Sequence, residues 1–387
     1  MNFRQFKIMS AKKLAKLQRI DQFESPGRRI PHDLILFNIL PRLPANSLLR
    51  FKSVCKKWLS DISILDFQKS HFQFSSQIPR FLLSHVSEVR KMFFLSYNES
   101  ENTVRDLVEL RCNELDEQRD GFFIVDSCNG VLCIHIMEEY FCLWNPVTNQ
   151  YKTVPHYNET FDNVVSDVTL EAGGFGYISN VNDYKIFAMF LSHSDQRVCN
   201  FYLFSLNSGT WKRLTQLDES NYARKLCNDI ASCIDETLYW PVSKPRNRTL
   251  VGYVGFDLQH ERMKRVVKVP WLRRYAQVDE IFKVNGCMSL CCRKKLYGPV
   301  SDVWTLKKEI QGGLENWVKL ASFDERNVEV RGFTANGKCL VQRYGQLELI
   351  DPCHQQDTDT DVSEKSVDCD LEVLQPALKH VDSLMPF

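Results

Sequence analysis

At 387 residues the chain is longer than one typical small domain, and 44% hydrophobic with 25% charged residues is the composition of a soluble globular protein. A formal net charge of +1 supplies no global field that would select nucleic acid or an anionic membrane. No apolar run reaches the roughly eighteen residues of a membrane-spanning helix, so neither nucleic acid nor membrane is expected as a partner. Fourteen cysteines invite a metal or disulfide framework, but no C-x2-C pair occurs. Cys287 and Cys291 have ligand-like spacing without a second pair or a nearby histidine to complete a set. Reduced cysteines acting as small buried hydrophobes, with no metal and no cofactor, are the expectation. Residues 1–29 hold eight Lys/Arg against two acids and lack the apolar core of a secretory signal. Residues 1–28 therefore read as a disordered basic leader, and the protein is expected in the cytoplasm, the nucleus or both.

The segment from Ile30 to Trp58, IPHDLILFNILPRLPANSLLRFKSVCKKW, is dense in apolar residues. Leu36, Ile39, Leu40 and Leu43 recur at i, i+3, i+4 and i+7 and are assigned one helical face; Phe51, Val54, Cys55 and Trp58 repeat the spacing on a second helix. Pro31 suits a first helical turn, Pro41 and Pro44 end the first helix, and Asn46 or Ser47 can cap the second. Two helices this short carry more apolar surface than they can bury on one another. The segment resembles the F-box: an L-P-x-D-L start, an I-L-x-R-L-P middle, then S-L-L-R-F-K-x-V-C-K-x-W. It departs with Ile30 for the leading leucine and Asn38 where an acid is common. The resemblance implies docking on a Skp1-like protein, and through it on a cullin and a RING subunit. It assigns the contact to Pro31, Leu34, Ile39, Leu40, Leu43, Leu48, Val54, Cys55 and Trp58, with Arg50 and Lys56 as polar rim. A third helix is expected at about 63–74, which gives a three-helix F-box over 29–75.

Farther on, IPRFLLSHV (78–86) and KMFFLSYN (91–98) read as strands, and the charged run from Glu109 to Asp120 as a surface loop. From about Gly121, short β-rich runs alternate with turns. FFIVDSCNGVLCIHI holds two strands around Cys128-Asn129-Gly130, a hairpin signal because Asn and Gly accept positive φ. FCLWNPVTNQYKTVP is strand, turn, strand, and the unit recurs in FYLFSLNSGTWKRL, VGFDLQHERMKRVVKVP, DVWTLKKEIQGGLENWVKL and, in part, LELIDPCHQQ. The turn anchors Asn145, Asn207, Gln259, Lys307 and Asp351 lie 44 to 62 residues apart. That period, with about four strands in each, predicts propeller blades, four or five of them visible and a sixth in reserve at 78–120. The ordered succession S-C-N-G-V-L-C, L-W-N-P-x-T-x-x-Y-K-x-V-P, G-G-F-G-Y, D-Y-K-I and L-Y-W-P resembles the F-box-associated domain of plant F-box proteins, related to kelch propellers. The resemblance implies an α+β multidomain chain: a small three-helix F-box, then an all-β kelch-like propeller over 78–352. Residues 353–387 read as an acidic, largely disordered tail, although its last, more apolar stretch could dock.

The same resemblance implies the substrate-recognition subunit of an SCF-type ubiquitin ligase, an adaptor without catalysis of its own, with an unknown protein target on the propeller. The residues agree in offering no catalytic motif: no H-E-x-x-H, no G-x-S-x-G, and no Gly-Lys-Ser/Thr after Gly173-Gly174-Phe175-Gly176. Those glycines are assigned to close strand packing. Basic clusters at Lys244–Arg248, Arg262–Lys268, Arg273–Arg274 and Arg293–Lys295 are either solvated loop charge or a patch for an acidic partner. A propeller module acting outside any ligase and a propeller enzyme with a site assembled across blades are the alternatives.

Overall fold

The computed structural model describes residues 30–77, 80–85, 91–98, 103–110, 122–136, 140–156, 168–192, 199–215, 230–244, 249–284, 286–294, 301–308, 315–323, 328–334, 337–343, 346–351, 367–368 and 378–385. The basic leader lies outside these residues, as does 111–120 of the expected surface loop.

Strand composition follows position within a blade. V-L-C-I-H-I and F-C-L-W-N are buried at every residue because they are middle strands, covered on both sides. Outer strands Q-Y-K-T and T-W-K-R are mostly exposed, and the latter buries only its tryptophan. Six antiparallel sheets result. The second blade is β4 (Phe122–Cys128), β5 (Val131–Ile136), β6 (Phe141–Asn145) and β7 (Gln150–Thr153); the third is β8 (Val168–Ile178), β9 (Asp183–Ser192), β10 (Cys199–Ser205) and β11 (Thr210–Arg213). The fourth is β12 (Ser232–Ile234), β13 (Thr237–Ser243) and β14 (Leu250–Asp257), with its outer edge split into β15 (Arg262–Met263) and β16 (Val267–Lys268). The fifth runs from β17 (Tyr275–Val284) through β18 (Cys287–Lys294) and β19 (Ser301–Lys308) to β20 (Glu315–Phe323). The sixth holds β21 (Val328–Phe333), β22 (Cys339–Arg343), β23 (Gln346–Ile350) and β24 (Val367–Asp368).

The first blade is assembled from both ends of the domain. Its outer strands are β1 (Arg80–His85), β2 (Lys91–Asn98) and β3 (Thr103–Leu110), and its innermost strand is β25 (Leu378–His380), paired antiparallel with β1 as Arg80↔His380 and Leu82↔Leu378. Strand β3, T-V-R-D-L-V-E-L, reaches into the charged run expected to be loop. Sequence reasoning placed all of 353–387 outside the propeller; Leu378–His380 belongs to it. The ring closes where β23 and β24 pack on β3, and where β25 packs on β4.

The core is divided among the blade interfaces. Leu82 and Phe94 meet Phe122 and Ile134 between blades one and two. Phe187, Trp240 and Phe256 fill the interface of blades three and four. Gly174 and Gly176 on β8 stand where a Cβ would come within 2.6 Å of Leu238 and 2.5 Å of Leu258, so the glycines allow blade four to approach. Lys185 of the D-Y-K-I element is buried and staples the same interface, donating to the Leu258 carbonyl at 3.1 Å and Glu261 Oε1 at 2.8 Å. Asn129 (φ 51°) and Gly130 (φ 80°) form the expected hairpin turn.

The N-terminal unit has four helical segments rather than three. The first, α1, is a composite: an α turn over His32–Leu34, a π turn over Ile35–Ile39 and a 3-10 turn over Leu40–Arg42. Then come α2 (Ala45–Phe51), α3 (Lys56–Ser63) and α4 (Leu65–Ser75). The single helix expected through Trp58 is broken at 52–54, where Ser53 Oγ donates to the Arg50 carbonyl at 2.7 Å. Helix α2 starts at Ala45 behind Pro44, with no side-chain cap from Asn46 or Ser47. Cys55 instead caps α3, its Sγ accepting from the Trp58 amide at 3.4 Å.

Candidate partner-docking surface

Leu36, Leu40, Ala45, Leu48, Ile62 and Phe67 form the core of the helical unit. One further buried member comes from the far end of the chain: Leu384. After β25 the backbone passes over the β4–β5 turn so closely that a Cβ on Gly130 would lie 2.4 Å from Ser383 Cβ. Asn145 Nδ2 donates to the Ser383 carbonyl at 3.1 Å, while its Oδ1 accepts from the amides of Val147 and Thr148. Val147 also packs on the helical core. The helices are thus seated on blade two and on the C-terminal segment. Within the unit, His32 Nε2 lies 2.9 Å from Asp61 Oδ2, and Phe51 meets the edge of Trp58 at 5.1 Å. His71 Nε2 reaches the Leu43 carbonyl at 3.1 Å, and burial lowers the histidine's pKa.

Against this core the sequence-assigned contact residues separate. Pro31, Leu34, Ile39, Arg50, Val54, Cys55 and Lys56 are exposed; Leu43 and Trp58 are half-buried. Leu40 and Leu48 are 2% and 0% exposed, so they hold the helices together and present nothing to a partner. The expected common face of Leu36, Ile39, Leu40 and Leu43 is divided, because the π turn takes up more residues per turn than the 3.6 the spacing assumed. Leu36 and Leu40 point inward and Ile39 points out.

Phe37, 62% exposed, was missed, as were Leu59 and Ile64. For Phe37 the signal was available: it follows the inward Leu36 by one residue, about 100° around a helix. Among the described residues, the exposed large hydrophobics are Ile30, Leu34, Phe37, Ile39, Val54, Leu59, Ile64, Leu65 and Val181. All but Val181 lie on the helical unit, which among the described residues carries most of the outward large apolar side chains.

A concavity of different character lies on the propeller axis. The inner strands surround a cavity of about 800 Å³ whose lining includes Asp126, Cys233, Gln277, Glu280, Arg331 and Lys379. Burial pushes the Asp126 carboxyl up to about 7, against hydrogen bonds from the Ser127 and Cys233 backbone. Burial also pushes Glu280 up to about 8, with Lys379 opposing and Asp279 and Asp126 reinforcing the rise. Beside the channel, Ser127 Oγ lies 2.8 Å from His380 Nδ1; His380 is wholly buried and stacked on Phe94, so the pair ties β25 to β4. Among the described residues no group of three or more His, Cys, Asp or Glu could hold a metal ion, and no helix is long and apolar enough to cross a membrane.

Residues 80–351 match the model of the F-box associated beta propeller domain. An F-box/kelch-repeat protein of Arabidopsis thaliana is 26% identical over 304 residues, 76% of this chain and 80% of that protein. The Arabidopsis F-box protein CPR1 is 25% identical over 75% of this chain and 72% of its own length. A third Arabidopsis F-box protein reaches 32% identity over 49% of this chain and 47% of its own. Among solved structures, the oligogalacturonate lyase of Vibrio parahaemolyticus aligns with 73% of this chain and 82% of its own at a TM-score of 0.41 and 10% identity, a likeness that carries no argument about activity. With the matched model spanning nearly the whole propeller, this chain belongs to the family of plant F-box proteins with an F-box-associated β-propeller domain.

Proposed function

We propose that the protein is the substrate-receptor subunit of an SCF-type ubiquitin ligase. In this reading the helical unit is an F-box that docks on a Skp1-like protein, which links it to a cullin and a RING subunit. The propeller holds the target. The observation that carries the reading is that, among the described residues, every exposed large hydrophobic except Val181 lies on the helices, with Phe37 and Val54 at 62% and 58% exposure. Covering such a side chain contributes about 1.5–3 kcal/mol before association costs. Phe37, Leu34, Ile39 and Val54 together supply enough for a stable complex. Pro31, Cys55, Arg50 and Lys56 border them.

The chain itself performs no chemistry in this account. It raises the effective concentration of a target near a charged conjugating enzyme and so promotes ubiquitination and degradation of the target. Its place of action is the cytoplasm, the nucleus or both.

Co-expression with a Skp1-like protein and affinity purification tests the docking step. A stoichiometric complex is expected from the native chain and none from Phe37→Asp/Val54→Asp. A complex that survives the double change would remove this surface from the account.

A further inference from the structure

The junction of blades four and five carries a second outward surface of different chemistry. Strand β13 leaves its blade at Lys244, whose amide donates to the Thr249 carbonyl at 2.9 Å as the chain enters β14. Lys268 on β16 is the register partner of Gly252 on β14, two strands from Lys244, a lateral distance of about 10 Å. The 3-10 turn Pro270–Arg274 follows at once and places Arg273 and Arg274 before β17. All four cations are exposed, and among the described residues none forms an ion pair.

Asp302, the acid beside Tyr275 at this end of blade five, is already engaged. Asp302 is buried and holds Lys319 at 2.8 Å and Lys294 at 3.4 Å, while accepting from Tyr275 Oη and Ser322 Oγ. Among the described residues, therefore, the charge of these four cations has no internal counterpart.

Three tryptophans adjoin them. Trp271 stacks on Trp304 at 4.3 Å and meets the edge of Trp317 at 5.7 Å; all three keep part of their surface in solvent. The propeller's other tryptophans, Trp144, Trp211 and Trp240, are buried. Tryptophan beside arginine is the composition of energetic centres in protein interfaces.

The location is also open. The helices sit over the β4–β5 turn, at the end where innermost strands finish. Lys244 ends a strand of opposite direction and Arg274 precedes an innermost strand, so both occupy the other end. A partner on the helices leaves this surface free.

We propose that this junction binds an acidic polypeptide segment bearing an aromatic or long aliphatic side chain. Its carboxylates pair with Lys244, Lys268, Arg273 and Arg274, and its apolar side chain packs against the Trp271–Trp304–Trp317 group. The proposal rests on the receptor reading in one respect: the segment belongs to the target protein. Polypeptide is favoured over nucleic acid because Trp271 and Trp304 stack on one another and the chain's net charge is only +1.

The test is selection of random twelve-residue displayed peptides on the full-length chain, run in parallel on Arg273→Glu/Arg274→Glu. Both side chains are exposed, so folding is checked by an unchanged melting temperature and unchanged Skp1-type co-purification. The native chain is expected to enrich peptides of net negative charge with an aromatic or long aliphatic residue. Their binding should weaken at least tenfold on the reversed variant and on raising the salt from 50 to 200 mM. Pools of the same charge distribution from both proteins would overturn the proposal. So would a single-stranded oligonucleotide of twenty thymidines that binds more tightly than the selected peptides. Loss of Skp1-type binding with intact peptide selection would remove the receptor reading and leave this surface standing; the converse would remove this surface alone.

Discussion

In the propeller, Trp144, Trp211 and Trp240 lie inside blade interfaces, and Trp211 also donates to the Pro155 carbonyl at 2.7 Å. In the helical unit, Phe37 and Val54 stand in solvent while Leu40 and Leu48, with Leu36, Ala45, Ile62 and Phe67, seal the interior beside a leucine borrowed from the far C-terminus. Both regions are rich in apolar residues, so composition does not separate them. The propeller satisfies its hydrophobic surface by repetition, each blade covering the next. The helices have no repeat to stack on; they borrow Leu384 and Val147 and leave Phe37 and Val54 uncovered. A burial map thus assigns different roles to neighbours such as Ile39 and Leu40, which share a hydrophobic label.

The largest effect that would break this comparison is expected from ending the chain at residue 377. The deletion removes the innermost strand of blade one and Leu384 together, and with them the tie of Ser127 to His380. Loss of a single cooperative melting transition and aggregation at low concentration are expected, measured by scanning calorimetry and light scattering. A truncated chain that melts like the native one would show that the C-terminal strand is dispensable.

Leu48→Ala comes next, at about 2–5 kcal/mol, because Leu48 has no exposed surface and its removal leaves a cavity among the helices. Hydrogen exchange should show the loss in α2–α4 first, with the blades protected. Leu384→Ala is expected at the lower end of that range, since a terminal segment relaxes more easily into the void. Its signature is faster exchange in the helices and near the β4–β5 turn alone.

The smallest effect concerns the axis. Unfolded, Asp126 and Glu280 ionise near pH 4; folded, burial holds their pKa values at about 7 and about 8. The folded state binds more protons between these limits. The two groups' contribution to stability is therefore complete below about pH 4 and is lost as the pH rises through 7 to 8. Glu280→Gln, which cannot ionise, should raise the melting temperature by about 2 °C at pH 8.5 and change it little at pH 4. An equal shift at both values would place the effect in packing rather than titration.

Much of the propeller was legible because turn chemistry repeats: Asn129-Gly130 and Asn207-Ser208-Gly209 each close a hairpin where the sequence placed one. Strand β25 was not legible. Three residues, L-K-H, behind an acidic stretch show no alternation, and their partner β1 lies about three hundred positions earlier. Strand β3 was obscured by its own charges, Arg105, Asp106 and Glu109. At the candidate docking surface the residue types were readable and their direction was not. The π turn and the break at 52–54 carry no glycine or proline, so nothing local announced that Leu40 and Leu48 turn inward.

The central claim is that the outward apolar side chains of the helices, and not the inward leucines, contact the partner. It is tested most directly by titrating a Skp1-like protein into full-length Phe37→Asp/Val54→Asp and measuring affinity and melting temperature on the same preparation. The account predicts at least a hundredfold loss of affinity with a melting temperature within about 2 °C of the native chain, as befits exposed positions. Native affinity in that correctly folded variant would contradict it.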